Sequence, residues 1–207
     1  QNDKTLSLTD KKLSETPLIS SGIGGILHIA SSYSSRFDEV ILQLPKGRSL
    51  KGINVSANRG QTSITNASLE NATLNTNSYI LRIKGSRIKN SKLTTPNIVN
   101  IFDTDLTDSQ LESTEHHFRA ENIKVYGKVE LSSKNALSIM LTQKESQEIN
   151  LDLSSHHGFI YQLLRDKSQQ KPNELSNPYK TEKTDVKGQL IAKADDYISL
   201  ETTANRP

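Results

Sequence analysis

The stretch ITNASLENATL, residues 64–74, is followed by IKGSRIKNSKL at 83–93 and IFDTDLTDSQL at 101–111. Branched apolar residues stand five apart in each: Ile64, Leu69 and Leu74, then Ile83, Ile88 and Leu93, then Ile101, Leu106 and Leu111. A helix repeats every 3.6 residues and a flat strand every two, so neither explains steps of five. The offset between stretches is 19 residues from Ile64 to Ile83 and 18 from Ile83 to Ile101, which is an internal repeat. Small residues precede several of these apolar positions by two, as in Ala67–Leu69, Ala72–Leu74, Ser86–Ile88, Ser91–Leu93 and Ser109–Leu111. Short strands can turn corners at such residues while the branched side chains stack in a narrow interior. A β-solenoid satisfies both spacings, each coil adding about 4.8 Å through parallel strand pairing and burying one rung of Leu or Ile. A β-sandwich of short strands is the competing architecture.

Outward from this repeat, FDEVILQLP (37–45) reads as a strand ended by proline, with a turn at Lys46, Gly47 and Arg48. Leu50, Ile53 and Val55 resume the apolar pattern before Asn58, Arg59 and Gly60 interrupt it. TLSL and PLISSGIGGILHIASS carry β character suited to covering an open stack end. Downstream, ALSIML and EINLDLSS alternate as strands, with Ile149, Leu151 and Leu153 on one side, and imply a sheet-like end. Residues 165–187 are polar and contain Pro172 and Pro178, reading as a loop or hairpin excursion, and QLIAKADDYISL (189–200) returns to strand. The expected fold is all-β: a single-stranded right-handed β-solenoid of short coils flanked by β-sheet caps. Its expected parts are an N-terminal β cap (1–48), the solenoid with its sheet-like end (49–164), the polar excursion (165–187), and a closing C-terminal strand and tail (188–207). Helix content is expected to be very low, since no 12-residue segment combines an amphipathic stripe with caps.

The composition agrees with a thin repetitive core. Only 33% of the 207 residues are hydrophobic, whereas Ser and Thr contribute 43 and Asn 16. The 26 Lys and Arg nearly cancel the 23 Asp and Glu, and a formal charge of +3 offers little long-range attraction to polyanions. No basic patch is interleaved with aromatics for stacking bases, so no nucleic-acid partner is expected. The absence of cysteine removes disulfides, thiolate nucleophiles and Cys-based metal sites. No apolar run approaches the 18 residues of a membrane span. The sequence starts at Gln1, which fits a signal or anchor segment removed from the full-length protein.

At VILQLPKGRSLKGINVSANRGQTSI (40–64) a strand ends in Leu-Pro, a Lys-Gly turn follows, and an Asn-Arg-Gly turn enters the repetitive region. This pattern resembles the bacterial adhesin-like family with extracellular β-strand repeats, the head-GIN-like envelope β-solenoid domains, over roughly residues 37–160 and again at 188–200. The resemblance implies an exported or membrane-anchored protein whose β-repeat region lies outside the cell; some related proteins are linked to envelope-stress signalling. ASLENATL (67–74) also resembles pentapeptide repeats, although the fives break at every 18–19 residue boundary.

Candidate sites are sparse. Asp103, Asp105, Asp108 and Glu112 form the densest acidic cluster, but without the glycine or spacing of a calcium loop it reads as a solvated ridge. His116–His117 and His156–His157 could approach one another across coils, yet adjacent strand residues face opposite ways, and these histidines read as exposed side chains. His28 reads as a strand-face residue, and GIGG (22–25) lacks the spacing of a nucleotide loop. The acceptor-like triplets at Asn54, Asn66 and Asn71 are expected by chance in a chain so rich in Asn, Ser and Thr. Neither a G-x-S-x-G elbow nor a defined carboxylate pair is present. No catalytic, cofactor or metal site is therefore expected, and a carbohydrate-active enzyme is the weakest alternative. Outward positions on the coils, Arg59, Asn66, Lys89, Asn90, Asp105 and Asp108, are the candidates for surface contact.

The function expected from these features is non-catalytic binding or adhesion at a bacterial cell surface, in an extracytoplasmic location, through a rigid β-solenoid surface. The expected partner is a protein or a cell-wall glycan, with contact to membrane only through a segment absent from this chain. Envelope-stress sensing and an oligomeric scaffold that self-associates through its terminal strands are the alternatives.

Overall fold

The computed structural model describes residues 61–164 and 172–203 and, within 1–60, the backbone of five strands. These five are β1 (Ser7–Asp10), β2 (Leu18–Ser21), β3 (Ile26–Ala30), β4 (Val40–Gln43) and β5 (Leu50–Ser56). The repeat region supplies β6 (Gln61–Thr65), β7 (Ser68–Thr76), β8 (Ile80–Lys84), β9 (Arg87–Lys89), β10 (Lys92–Thr95), β11 (Ile98–Phe102), β12 (Asp105–Thr107), β13 (Gln110–Ser113) and β14 (Phe118–Glu121). Beyond it come β15 (Lys124–Ser133), β16 (Leu137–Thr142), helix α1 (Gln143–Glu148), β17 (Ile149–Ser155), β18 (Ile160–Leu164), β19 (Asn173–Leu175), β20 (Tyr179–Lys180), β21 (Gly188–Ala194) and β22 (Ile198–Thr203). The turns read at 46–48 and 58–60 and the GIGG stretch lie outside the described residues.

The protein is almost entirely β, built as two large sheets of mainly parallel strands in a solenoid-like stack. In the repeat region each turn of chain makes three sides. One side stacks the first residues of β7 with β9, β12 and the start of β15, pairing Leu69 with Ile88, Ile88 with Leu106 and Leu106 with Val125. A second stacks the end of β7 with β10, β13 and the end of β15, so that Leu74, Leu93, Leu111 and Leu131 form one column. The third stacks β6, β8, β11, β14 and β16, aligning Ile64, Ile83, Ile101, Ala120 and Ile139. These columns are buried, none of their members more than 9% exposed. Each Leu or Ile withdrawn from water contributes about 2 kcal/mol. Polar Ser, Thr, Lys and Glu alternate outward because strand side chains switch faces at every residue.

Strand order follows sequence as far as β16 and then departs from it. β21 lies between β15 and β17, parallel to both, and β22 lies between β16 and β18. The strand expected to close the C-terminal end of the stack is thus an interior layer. Here Leu131 pairs with Ala192, and Ala192 with Leu153, while Ile139 pairs with Leu200. The end of the stack is the coil of β17 and β18, and the polar excursion covers it: β20 runs antiparallel on β17 and β19 antiparallel on β18. These strands take up backbone groups an open end would leave unpaired. Asn177 fastens this cover, accepting from the Ser155 N–H (3.0 Å) and donating to the carbonyls of Ser155 (2.7 Å) and Gly158 (3.2 Å).

The three-sided coil becomes two-sided at β15, where the first side ends. Helix α1, capped by the Thr142 hydroxyl accepting from Glu145 N–H, closes that side. Glu145 is 4% exposed and accepts the Val125 N–H at 2.6 Å, replacing the partner that a further strand would have supplied. Lys187 donates to Glu145 at 2.5 Å, reaches Glu148 at 3.0 Å, and stands 4.8 Å from the centre of the Tyr126 ring. Burial lowers the pKa of Lys187, but the two carboxylates outweigh it and hold the ammonium above the ordinary 10.5. Its hydrogen bond to Glu148 holds that carboxyl below the ordinary 4.5.

Candidate functional site

The corners between sides are made by residues in the left-handed region, which glycine enters freely and Asn or Asp tolerates best among the rest. At the first corner Asn66, Gly85, Asp103 and Asn122 have φ of 52°, 60°, 48° and 50°. At the second corner Asn71, Asn90, Asp108 and Gly127 have φ of 51°, 47°, 45° and 61°. All but Gly127 stand three residues before an interior Leu, Ile or Val; Gly127 stands four before Leu131. The Asn/Asp/Gly alternation at that offset was a sequence signal missed beside the small residues that follow it.

Backbone and side chains tie these corners from coil to coil. Asn66 N–H donates to Lys84 O at 2.9 Å, Asn90 N–H to Thr107 O at 2.9 Å and Asp108 N–H to Tyr126 O at 3.2 Å. The Asn122 amide donates to the Asp103 carboxylate at 2.6 Å. At Gly85 a Cβ would stand 2.5 Å from Asn66 Oδ1, so a side chain there would have to displace the Asn66 amide. Beside the corners, the Ser86, Ser91 and Ser109 hydroxyls donate to the carbonyl two residues earlier, at 3.0, 2.7 and 2.7 Å. The same oxygens accept N–H groups from the preceding coil: Ala67 to Ser86 (3.2 Å), Ala72 to Ser91 (3.1 Å) and Ser91 to Ser109 (3.2 Å). Small residues at these positions thus satisfy buried backbone as well as leaving room to turn.

Along the second corner runs a shallow open groove lined by Asn71, Asn90, Asp108, Lys92, Gln110 and Lys128, among others. Two of the expected contact residues, Asn90 and Asp108, meet here, both exposed and one coil apart. Asp108 also ties to the next coil, its carboxylate accepting the Lys128 N–H at 2.9 Å. Asn66 is exposed on the first corner instead. Lys89 and Asp105 occupy the side between the corners and are engaged in ion pairs between coils: Lys89 with Glu70 at 2.9 Å, and Asp105 with Arg87 at 3.7 Å and Lys124 at 3.9 Å. The hydrogen bond that Lys89 donates to Glu70, more than the charge of that carboxylate alone, raises the Lys89 pKa above the ordinary 10.5. Arg59 lies outside the described residues.

The acidic cluster is dispersed by the winding of the chain. Asp103 falls on the first corner, Asp105 on the side between corners, Asp108 on the second corner, and Glu112 on the next side. The two His pairs stand at the same corner of the stack but with two coils between them, those of β15–β16 and β21–β22. His156 and His157 pack edge to face, ring centres 3.9 Å apart. Among the described residues no group of three or more His, Cys, Asp or Glu is placed to hold a metal ion.

The parallel stacked strands and ladder-forming corners define an all-β, solenoid-like domain. The chain belongs to the Toastrack DUF4097 family, whose model matches residues 1–201. This family is typical of bacterial envelope proteins and is related in kind to the adhesin-like group that the 40–64 region resembles. Membership of this family supports a structural or binding role; the chain carries no cysteine, and no metal cluster is found among the described residues. No curated protein and no solved structure matches the chain.

Proposed function

We propose that the protein is a binding or adhesion module of the bacterial cell surface, extracytoplasmic and tethered through a segment outside this chain. The finer fold reading is a right-handed single-stranded β-solenoid, capped by the 1–48 region at one end and by the 165–187 excursion at the other. Its ladders hold outward side chains at fixed one-coil intervals, so a partner meets a pre-ordered polar surface and little side-chain entropy is lost on contact. The observation that carries this reading is the second-corner groove, where Asn71, Asn90 and Asp108 recur coil by coil between Lys92 and Lys128. The partner is a protein or cell-wall glycan, not a nucleic acid. Of the six candidate contacts, Asn66, Asn90 and Asp108 are the favoured ones, with Arg59, Lys89 and Asp105 secondary. Co-sedimentation with isolated bacterial envelopes tests the reading. The wild-type chain should pellet with them, and Lys92→Glu combined with Lys128→Glu should weaken retention severalfold while the thermal transition stays in place. A wild-type chain that remains in the supernatant would overturn it.

A scaffold reading is favoured by one observation: β6 ends its sheet, pairing with β8 on one edge only among the described residues. Pairing of that edge with a second copy predicts a mass that rises with concentration in light scattering. A constant monomer mass across a hundredfold range excludes it. Envelope-stress sensing would use the same surfaces, with partner binding reported through the tether.

A further inference from the structure

The chain has only six Tyr and four Phe, yet three of these rings converge at the permuted end of the stack. Phe159 and Tyr161 flank the start of β18, and Tyr197 directly precedes β22, the strand that pairs with it. Ring centres are 5.9 Å apart for Phe159 and Tyr161 and 6.5 Å for Tyr161 and Tyr197, tilted by 42° and 64°. The backbone joins the same elements, Ile198 N–H donating to Phe159 O at 3.0 Å.

Phe159 is 52% exposed and Tyr197 46%. Two other outward rings are covered by cations, Phe102 by Arg82 at 5.4 Å and Tyr126 by Lys187 at 4.8 Å. A single exposed ring needs no explanation, but three gathered from two segments, 159–161 and 197, on paired strands form a cradle.

What adjoins the cradle indicates its occupant. Tyr161 is the cross-strand partner of Glu174 on β19 and of Ser199 on β22, and Ser199 in turn of Ser138. Cross-strand partners project on the same face. A row of carboxylate, aromatic ring and two hydroxyls therefore runs across the strands. A protein hot spot wants a desolvated apolar pocket. Pyranose rings instead present apolar C–H faces and an equator of hydroxyls, which need ring surfaces with donors and acceptors beside them.

We infer that Phe159, Tyr161 and Tyr197, with Glu174 and Ser199, form a carbohydrate-binding site that takes pyranose units of an extended glycan. The inference narrows the partner class of the proposed surface-binding role and rests on that reading, while using a different part of the surface from the corner groove.

The chain lacks Trp, so tyrosine emission reports a sugar seated on these rings without being masked. Titration with chitohexaose and with soluble peptidoglycan glycan strands should change tyrosine emission and shift the Tyr161 and Tyr197 ring resonances in NMR spectra. Phe159→Ala with Tyr197→Ala should weaken the affinity at least tenfold, whereas Tyr161→Phe, which keeps the ring, should lose less. Both alanine changes are at exposed positions, and an unchanged thermal transition verifies the fold. Binding that survives the double change, or no response to either glycan at millimolar concentration, overturns the site. Parallel sedimentation with protease-treated sacculi separates this from the broader reading. If the double variant pellets as well as wild type, the aromatic site falls and the envelope role stands. If neither pellets with sacculi nor with intact envelopes, the envelope role falls too. If wild type pellets only with untreated envelopes, the partner is protein and the glycan site is wrong.

Discussion

Residues 61–123 and 124–203 use the same physical unit, a buried Leu or Ile rung under a parallel ladder, but arrange it differently. In the first region every coil lies on its sequence neighbour, 18–19 residues away, and Asn, Asp or Gly in the left-handed region turns the corners. In the second, β21 and β22 are inserted between coils that precede them in the chain. The first region can gain or lose coils by local events, because each rung contacts only its neighbours. The second is held together by contacts far apart in sequence, so its cooperativity depends on the last strands being in place.

Truncation gives the largest expected effect. A chain ending at Lys187 leaves β15 and β17 without the strand between them, and should lose its cooperative thermal transition by circular dichroism. Deletion of residues 84–101, one coil of the regular region, should retain β-type dichroism and a single transition at lower temperature. If the truncated chain melts as cooperatively as the full one, the proposed division is wrong.

Single substitutions sharpen the same contrast. Leu106→Ala removes a fully buried rung side chain and should cost about 3 kcal/mol in urea unfolding. Gly127→Ala places a side chain at φ 61° against the Asp108 carboxylate, a loss of about 1–2 kcal/mol from backbone conformation before any clash. At the junction of the two regions, Glu145→Ala leaves the buried Val125 N–H without its carboxylate. A loss of about 2 kcal/mol is expected, with faster hydrogen exchange at Val125 as the local readout.

The pH dependence of this junction follows from its shifts. Glu148 is held below 4.5, so its contribution is complete above that pH and is lost as pH falls through the lowered value. Lys187 is held above 10.5, so its contribution is complete below that pH and is lost as pH rises through the raised value. A Lys187→Met variant should flatten both limbs of the stability profile measured by urea unfolding. The smallest effect is expected for Lys89→Ala: its ion pair with Glu70 is exposed, and the urea midpoint should hardly move.

The steps of five and the 18–19 residue offset were sufficient to place Leu69, Ile88 and Leu106 in one column, because parallel stacking turns a sequence period directly into spatial alignment. Low apolar content was legible for the same reason: a coil buries one thin rung and exposes the rest. The folded chain distributes the contact candidates among different surfaces. Asn90 and Asp108 share a groove, but Lys89 and Asp105 lean on charges one coil away, and winding spreads the acidic cluster around the perimeter. The position of β21 and β22 was decided by the folded chain alone. Their alternating apolar residues fit any open parallel edge equally well, and local pattern does not distinguish an end of the stack from a gap within it. The same long-range pairing brings Tyr197 beside Phe159 and Tyr161, a grouping that no spacing along the chain encodes.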